Sequence, residues 1–407
     1  MKIGEFAKIF DVPVDTIRYY IDNGMLLPEK MHGQYRFDEK CIEDMNSIRE
    51  LKKMKFTISE IKKLISLQRL TNLIEEENLQ YYASFFNEKK EELTDDKKNI
   101  ENAIKLIDGK LENIAKKRNK LSTHIGIPLH FFSYLYCPEC QKNLKLFKAV
   151  VDGNYIYNGE LKCDCGYSAE ISDGIIITQS ARSDEAPIIE PGKDSVEDYL
   201  SYTDPLFISF IQKSFDWILK RIDFKSIKHK TILELGTGKG FVLSQIISRI
   251  DSSNAFIASD VNYNRLKRTK KTIERSGIDK PYIFIASNLS ELPLKRNSVD
   301  IVLDIFGTTN HTFKNSYFPV TDVREYLKKE GLWYGTYIYL KGMARLVDAY
   351  RKNSSFYMLE NIKNSFEGFE WQETSSFGFS DSAGDLEKVL EKNSKIYQWS
   401  CVAKKVE

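Results

Sequence analysis

The chain has 407 residues, which is room for two or three domains at about 150 residues per domain. Its 60 Lys and Arg residues nearly balance 58 Asp and Glu residues, and a composition that is 42% apolar and 29% charged is typical of a folded globular protein, not a disordered one. No segment reaches the ~18 consecutive apolar residues of a membrane span, and residues 1–6 lack the apolar run of a secretory signal. We therefore expect a cytoplasmic protein, with no membrane partner.

Residues 1–70 contain short helical patterns and one extended pattern. Apolar residues at helical spacing predict a helix over Ile3–Phe10, and Asp15 is placed to cap a second helix over Thr16–Asp22. Glycine and extended residues further on predict a small hairpin. The remaining expected elements are a stop at Asn23-Gly24, the hairpin through Gln34–Phe37, and helices over Cys41–Met54 and Thr57–Leu67.

Two helices joined by a tight turn and followed by a hairpin predict a winged helix-turn-helix, which binds double-stranded DNA through its second helix. Arginine pairs with guanine or phosphate, and hydroxyl groups contact phosphate. The alternative is that the tyrosines belong to the core and Arg36 is a solvated charge; we prefer the core for Tyr20 and DNA contact for Arg18 and Arg36. The residues predicted to bind DNA are Thr16, Arg18, Tyr19, Lys30, Tyr35 and Arg36.

This stretch resembles the MerR family of bacterial transcription regulators. The residues that carry the resemblance are Ile3–Ala7, Asp15–Tyr20, Gly24–Pro28, Tyr35–Phe37 and Phe56–Ile61. The resemblance extends over about residues 1–120, because the family places a dimerising coiled coil after the DNA-binding part. It implies a homodimer that binds a two-fold promoter operator and acts on promoter geometry. Metal-sensing members carry cysteines near the coiled coil, and none lies between Thr71 and Lys120.

Residues 71–121 form a polar helical segment without proline. Its apolar residues recur at alternating steps of four and three, which is the pattern of a coiled-coil seam. The seam residues are Ile100, Ile104, Ile107, Leu111, Ile114 and Leu121, with Arg118 in one position. The alternative is a lone surface helix, but the length and the narrow apolar stripe favour helix pairing. We therefore predict a coiled-coil dimerisation helix over residues 71–121.

Residues 130–180 are rich in strand patterns and hold four of the six cysteines. The pairs Cys137/Cys140 and Cys163/Cys165 are separated by 22 residues, and four thiolates suit a tetrahedral zinc ion. Four protein ligands leave no open position, so the zinc would be structural; the alternative is a set of reduced thiols without metal. The segment is similar to zinc ribbons that precede methyltransferase domains, such as those of ribosomal RNA guanine methyltransferases. Residues 181–195, with two prolines, are predicted to be a linker.

From residue 196 to 407 strand and helix patterns alternate, which predicts an α/β Rossmann-like domain. The fold class is therefore multidomain: an α winged helix-turn-helix with a long dimerising coiled-coil helix, a small β zinc ribbon and an α/β domain. The predicted strands of the α/β domain are Thr231–Leu235, Phe256–Asp260, Ile283–Ala286, Ile301–Ile305, Leu332–Tyr339 and Tyr397–Lys404.

A glycine-rich turn follows the first of these strands. Gly236, Gly238 and Gly240 let a ligand approach the backbone, Glu234 precedes them, and Asp260 ends the next strand, where a carboxylate can accept both hydroxyls of a ribose. Dinucleotide sites use G-x-G-x-x-G, and a P-loop needs Ser or Thr after Gly-Lys, so neither pattern is met. The alternative is a tight turn with no ligand, which the paired acid argues against.

The turn resembles the S-adenosylmethionine site of class I methyltransferases. The resemblance implies that Asn288 and Leu289 lie at the adenine edge, and that residues 304–313 face the transferred methyl group. Asp304, Asn310 and His311 are then the candidates on the substrate side, although a lone histidine is more often a loop residue with a structural role.

Taken together, these patterns favour a DNA-binding regulator fused to a domain that binds S-adenosylmethionine and methylates or senses a small molecule. The alternative is primarily an enzyme, a methyltransferase acting on RNA or a small toxic compound, whose DNA-binding domain autoregulates its gene. In a third interpretation the C-terminal domain senses its ligand without catalysis. The patterns do not distinguish sensing from turnover.

Overall fold

The computed structural model describes residues 1–118, 123–181, 196–278, 280–314, 317–341, 354–380 and 395–407. The chain divides into two compact units, Met1–Asn119 (the helical unit) and Lys120–Glu407 (the sheet unit). Leu121 of the predicted seam and residues 182–195 of the predicted linker lie outside the described residues. Within the described ranges, every helix is too short or too polar to cross a membrane.

The helical unit is a small apolar core wrapped by four short helices and a hairpin. Its core includes Phe6, Ile17, Met25 and Phe37, which are at most 3% exposed. Its elements are α1 (Ile3–Phe10), α2 (Val14–Asp22), β1 (Glu29–Met31), β2 (Gln34–Arg36), α3 (Glu39–Lys53), α4 (Ile58–Thr71) and α5 (Glu76–Arg118).

Helix α2 begins earlier than the sequence predicts. Its N-cap is Pro13, and Asp15 lies in the first turn instead of capping the helix, so that prediction is wrong. Proline is favoured where a helix begins because its fixed φ suits entry into a helix and its missing N–H needs no partner there. The carboxylate of Asp15 still interacts favourably with the helix dipole from the first turn.

Helix α5 has 43 residues and is about 65 Å long. Its first turns pack on the core of the helical unit through Tyr82, Phe85 and Phe86. Beyond these turns its apolar residues are exposed: the exposed fractions are 61% for Ile100, 51% for Ile104, 58% for Ile107, 58% for Leu111 and 51% for Ile114. Within residues 1–118, no other element covers the predicted seam at these positions.

The sheet unit is built on a mixed sheet with helices on its faces. Its strands are β3 (Ile127–Pro128), β4 (Lys145–Asp152), β5 (Tyr155–Lys162), β6 (Ser168–Ser172), β7 (Ile175–Thr178), β8 (Thr231–Leu235), β9 (Ala255–Asp260), β10 (Tyr282–Ala286), β11 (Val299–Ile305), β12 (Leu327–Leu340), β13 (Phe369–Ser380) and β14 (Lys395–Lys405). Its helices are α6 (Val196–Tyr202), α7 (Pro205–Leu219), α8 (Phe241–Ile246), α9 (Tyr263–Arg275), α10 (Gly307–Lys314), α11 (Val320–Arg324) and α12 (Leu359–Asn364).

The strand order across the sheet is β13-β14-β12-β11-β8-β9-β10-β7-β6-β5-β3, with β4 also paired to β5. The six strands from β12 to β7 in this order are parallel neighbours, and β14 joins β12 in the antiparallel sense. Strands β8 and β10 are buried along their whole length, as expected for parallel strands covered on both faces. The predicted multidomain architecture, helical at the N-terminus and α/β at the C-terminus, is confirmed.

The four-cysteine segment is continuous with the α/β sheet. Strand β7 pairs in parallel with β10, with Ile175 opposite Phe284 and Ile177 opposite Ala286. The sequence separates residues 130–180 from residues 196–407, whereas in the structure both contribute strands to one sheet. The run Ile175–Ile177 indicates a buried strand, but a partner strand more than a hundred residues away leaves no local pattern.

Candidate cofactor, metal and DNA sites

The three glycines of the predicted cofactor turn all adopt left-handed backbone conformations. Their φ angles are +63° at Gly236, +57° at Gly238 and +72° at Gly240. A Cβ at Gly236 would lie 2.8 Å from the Cα atom of Gly307, and a Cβ at Gly240 would lie 2.6 Å from the Cγ2 atom of Thr269. At Gly238 a Cβ would meet only the Gly236 carbonyl oxygen, at 3.6 Å. Glycine is therefore required by packing at two positions and by backbone conformation at the third.

Two carboxyl groups lie against this turn. Glu234 is 3% exposed and accepts a hydrogen bond of 3.0 Å from the hydroxyl of Thr237. Burial raises the pKa of the Glu234 carboxyl to about 8, and the charge of Asp260 adds to this rise. Asp260 accepts hydrogen bonds of 2.8 Å from the backbone N–H groups of Gly238 and Asn262. Each carboxylate oxygen has a second lone pair, so Asp260 can hold the turn and still accept a ligand hydroxyl.

Asn288 follows β10, next to the end of β9. Its side-chain oxygen Oδ1 is buried and has no hydrogen-bond partner among the described residues. Its backbone N–H donates to the hydroxyl of Ser180 at 3.1 Å, and the neighbouring Leu289 is 4% exposed. Burying a hydrogen-bond acceptor without a partner destabilises the folded protein, so this oxygen is suited to a ligand that brings a hydrogen-bond donor.

Asp304 is the residue before the last of β11. It is fully buried and accepts hydrogen bonds from the backbone N–H of Thr308, at 2.9 Å, and from its hydroxyl, at 2.7 Å. Burial raises the pKa of this carboxyl to about 6. Asp304 therefore anchors the start of α10, and its predicted place on the substrate side stays a prediction. A carboxyl group at a helix N-terminus satisfies N–H groups that have no partner within the helix.

Gly307 is a site residue that sequence reasoning missed. A Cβ at this position would lie 2.1 Å from the carbonyl oxygen of Leu235, so the start of α10 and the end of β8 touch through their backbones. The available sequence signal is a glycine two residues after the predicted buried strand Ile301–Ile305. Of the other candidates on α10, Asn310 is exposed, and the half-buried ring of His311 packs edge-on against the Tyr317 ring with centroids 5.1 Å apart.

The four cysteines converge although they come from distant segments. Their sulfur atoms lie within 4.8 Å of one another, with 3.5 Å between Cys137 and Cys165 and 3.4 Å between Cys140 and Cys163. Zinc–sulfur bonds of about 2.3 Å place tetrahedral sulfur pairs about 3.8 Å apart, which this cluster fits. A hydrogen bond from the backbone N–H of Cys165 lowers the pKa of the Cys163 thiol to about 7, whereas burial raises the pKa of the Cys137 thiol and the pKa of the Cys165 thiol is raised to about 12, so the convergence of the four sulfur atoms is what supports the metal site.

The predicted DNA-binding residues lie on one helix and one hairpin of the helical unit. The Arg18 side chain is 61% exposed and forms a 3.0 Å ion pair with Asp15, and Tyr19 is 49% exposed. Tyr20 is 3% exposed and belongs to the core. Lys30 and Arg36 are exposed, Thr16 and Tyr35 are half-buried, and the Lys30 ammonium lies 5.6 Å from the centre of the Tyr35 ring.

Comparisons with known proteins match two parts of the chain to two families. Residues 1–68 match the MerR HTH family of regulatory proteins. Residues 226–399 match a methyltransferase domain family. The first match covers α1 to α3, the hairpin and most of α4, and the second runs from just before β8 into the first half of β14.

Individual relatives match shorter stretches. An HTH-type transcriptional regulator ZntR homolog of Haemophilus influenzae is 34% identical over 79 residues, which is 19% of this chain and 58% of the relative. A ubiquinone/menaquinone biosynthesis C-methyltransferase UbiE of Wigglesworthia glossinidia brevipalpis is 32% identical over 83 residues, 20% of this chain and 33% of the relative. The chain thus spans between a third and three fifths of these relatives.

Among solved structures, geranyl diphosphate methyltransferase in complex with S-adenosylmethionine is 12% identical, with 56% of this chain and 96% of that chain covered and a TM-score of 0.39. The assignment of the two parts comes from the family matches together with the folds described above. The chain thus carries a MerR-type helix-turn-helix domain at its N-terminus and a methyltransferase domain in its C-terminal part.

Proposed function

We propose that the chain is a DNA-binding transcription regulator whose C-terminal domain binds S-adenosylmethionine. The observation that supports binding of this ligand is the turn of Gly236, Gly238 and Gly240, which packs against Gly307 and is held by Asp260. Such a turn at the carboxyl end of a parallel strand brings bare backbone to a bound ligand.

Each end of the ligand has a suitable group in this site. Asp260 would accept the ribose hydroxyls, and the buried Oδ1 of Asn288 would accept from the amino group of adenine. Glu234 would lie near the cationic methionine end, where a positive charge favours the ionised form of its raised-pKa carboxyl. When bound, S-adenosylmethionine supplies an electrophilic methyl group; the residues of this chain bind and orient it.

The regulator half of the proposal is supported by two surfaces of the helical unit. Arg18 and Arg36 are exposed on α2 and β2, where a winged helix-turn-helix contacts the major groove and its flanks. The exposed seam of α5 would pair with a second copy, giving the homodimer that a two-fold operator needs. Binding of the ligand would bias the dimer only through a difference in affinity between two dimer states.

A second candidate function is methyl transfer to RNA or to a small toxic compound, with the helix-turn-helix autoregulating the gene. The observation that favours it is the exposed Asn310 on α10, directly after the carboxyl end of β11, at the edge where ligands of such sheets bind. Since Asp304 is buried beneath α10, transfer would depend on positioning of the acceptor more than on a general base.

Calorimetry with S-adenosylmethionine, followed by transfer of a labelled methyl group to RNA and small-molecule pools, tests both candidates. Heat of binding without transfer supports the sensor-regulator, and transfer supports the enzyme. Absence of binding heat contradicts both. Asp260→Asn keeps the shape of the carboxyl group but removes its negative charge and one of its two acceptor oxygens. The amide therefore cannot accept hydrogen bonds from both the Gly238 N–H and a ribose as the charged carboxylate can.

We also propose that Cys137, Cys140, Cys163 and Cys165 bind one structural zinc ion. Four thiolates would close its coordination shell, which suits a folding role and not catalysis. Native mass spectrometry of the fully reduced protein should show one zinc per chain. Cys163→Ser should lose it, whereas Cys41→Ser, at a buried thiol of the helical unit, should retain it. A zinc-free reduced wild type would contradict the proposal.

A further inference from the structure

The strand that leaves the four-cysteine segment ends beside the predicted adenine edge. Strands β7 and β10 run in parallel, with Ile177 opposite Ala286. Because parallel strands end at the same edge of a sheet, residues 178–180 meet residues 286–288 there. A segment from outside the matched methyltransferase family residues, 226–399, therefore contributes to the wall of the proposed cofactor site.

A chain of hydrogen bonds fastens the two segments together. The backbone N–H of Asn288 donates to Ser180 Oγ at 3.1 Å, Ser180 Oγ lies 3.0 Å from Thr178 Oγ1, and Thr178 Oγ1 donates to the Ala286 carbonyl at 3.3 Å. An N–H group only donates and a carbonyl only accepts, so both hydroxyls donate in the same direction along the chain. Thr178 is 4% exposed, so these bonds are shielded from water.

The Cys163/Cys165 pair is connected to these hydrogen bonds through one strand. The backbone N–H of Cys163 donates to the carbonyl of Tyr167 at 2.9 Å, and β6 begins at the next residue. Within the sheet, Ala169 of β6 is paired with Thr178 of β7. The position of these two cysteines is therefore transmitted to Thr178 and Ser180 over a few residues of hydrogen-bonded strand.

The other cysteine pair holds the far side of the same segment. Tyr136, next to Cys137, donates its backbone N–H to the carbonyl of Pro293 at 3.2 Å, and Leu135 forms a bridge with Leu294. The side chain of Gln141, next to Cys140, accepts from the backbone N–H of Arg296 at 3.1 Å. The segment that starts at Asn288 is therefore held at both ends: Asn288 is bonded to Ser180, just past the strands that follow the Cys163/Cys165 pair, and residues 293–296 are bonded to residues beside the Cys137/Cys140 pair.

We propose that Ser180 is a positioning residue for the adenine end of the cofactor, and that a metal ion in the four-cysteine cluster couples to cofactor binding by holding both sides of the Asn288 segment together. This inference rests on the proposed function, since it requires that S-adenosylmethionine bind at the glycine turn. It assigns the cysteine segment a role in the affinity of the methyltransferase domain for its ligand. By linkage, the bound ligand must raise the affinity of the cysteine cluster for the metal by the same factor.

The first test replaces one hydroxyl. Ser180→Ala leaves the backbone N–H of Asn288 without its partner, and we expect about tenfold weaker binding of S-adenosylhomocysteine in calorimetry. Ser180→Thr, which keeps the hydroxyl, should restore it. The matched control is Ser226→Ala, whose exposed hydroxyl donates only to the nearby Asp223 carbonyl and should leave binding unchanged.

A second ligand separates positioning from a general loss of structure. The hypoxanthine analogue of S-adenosylhomocysteine lacks the amino group that Asn288 Oδ1 would accept. We expect Ser180→Ala to weaken binding of the adenine ligand much more than binding of the analogue, so that the ratio of the two affinities falls. An equal loss for both ligands, or no loss for either, would overturn the role of Ser180.

The coupling is tested on the full-length protein with zinc alone as the metal. Zinc-loaded protein should bind S-adenosylmethionine about tenfold more tightly than protein stripped by a chelator. Excess S-adenosylmethionine should raise the zinc affinity, measured by equilibrium competition with a colorimetric chelator, by a similar factor, and Ser180→Ala should abolish that rise while its cysteines still bind zinc. If the zinc affinity is the same with and without ligand in wild type that binds the ligand, the coupling is wrong. No binding to zinc-loaded wild type would instead overturn the proposed function itself.

Discussion

The helical unit and the sheet unit place their candidate functional groups in opposite environments. In the helical unit, Arg18 and Tyr19 project from α2 with most or half of their surface exposed, above a core that does not depend on them. In the sheet unit, Glu234, Asp260 and Asp304 are at most 5% exposed and hold the backbone on which the site is built. One unit presents side chains to a partner, whereas the other presents a backbone turn.

The difference has a consequence for how each unit responds to substitution. Removing an exposed side chain leaves the free energy of unfolding almost unchanged, so binding and stability separate in the helical unit. Removing a buried carboxyl or filling a glycine position changes the core as well, so binding and stability change together in the sheet unit. Substitutions in each unit test this difference between binding and stability.

The largest effect is expected at the exposed seam of α5. Replacing Ile104 and Leu111 together with Asp would bury unpaired carboxylates between two helices, and we expect about 100-fold or greater weakening of the proposed dimer. Thermal stability of the helical unit should hardly change. Light scattering after size-exclusion chromatography measures the dimer.

The matched control for this seam is Leu106→Asp. Leu106 is 74% exposed on the same helix but does not belong to the four-three series, so the dimer should survive. Dissociation by the control and by the seam variant to the same extent would contradict the proposed seam.

The next effect concerns the glycine turn. Gly236→Ala adds a Cβ that would lie 2.8 Å from the Gly307 backbone, which cannot retreat as a side chain can. We expect loss of S-adenosylmethionine binding together with a lower melting temperature. Gly238→Ala has room for its Cβ and should cost only the left-handed conformation, about 1–2 kcal/mol. Calorimetry and thermal unfolding measure both; equal effects of the two variants would contradict the packing argument.

Much of each unit could be predicted from local sequence. Helical spacing identifies α1 and α2, the buried strand before Gly236 identifies β8, and the glycine pattern with Asp260 identifies the turn. These features depend on residues close together in the chain. Both family resemblances that they suggested are confirmed.

The remaining features depend on contacts between distant segments. Strand β13 was not predicted, because its polar run Glu373–Ser376 lacks a strand signature and it becomes a strand by pairing with β14. Gly307 matters because Leu235 lies against it, and Ser180 matters because Asn288 does. No pattern in a single sequence reveals which of its many glycines and serines will meet such partners.

A smaller effect is expected at Arg18. If this side chain contacts DNA, Arg18→Ala should weaken binding by about 1–3 kcal/mol, roughly 5- to 150-fold, without changing the melting temperature. The measurement is a gel-shift titration at fixed salt, with DNA that the wild-type protein selects from a random-sequence library. Lys98→Ala, at an exposed position on α5, is the control and should bind as wild type. Unchanged binding by Arg18→Ala would remove this residue from the DNA interface.

The smallest expected effect tests the buried side of the contrast through pH. The Glu234 carboxyl has a pKa of about 8 in the folded protein and about 4.3 in an unfolded chain. The folded state therefore holds an extra proton between these values, and this contribution to stability is lost as pH rises toward 8. Glu234→Gln should remove that loss, so the melting temperature of the variant should fall less than that of wild type from pH 5.5 to 8.5, by about a few degrees.

Glu373→Gln is the matched control: Glu373 is half exposed, and its hydrogen bond with Arg221 lowers its pKa, so it does not titrate in this range. Parallel curves for wild type and Glu234→Gln would mean that the Glu234 carboxyl is ionised in the free protein, and that burial at the glycine turn does not tie its charge to stability.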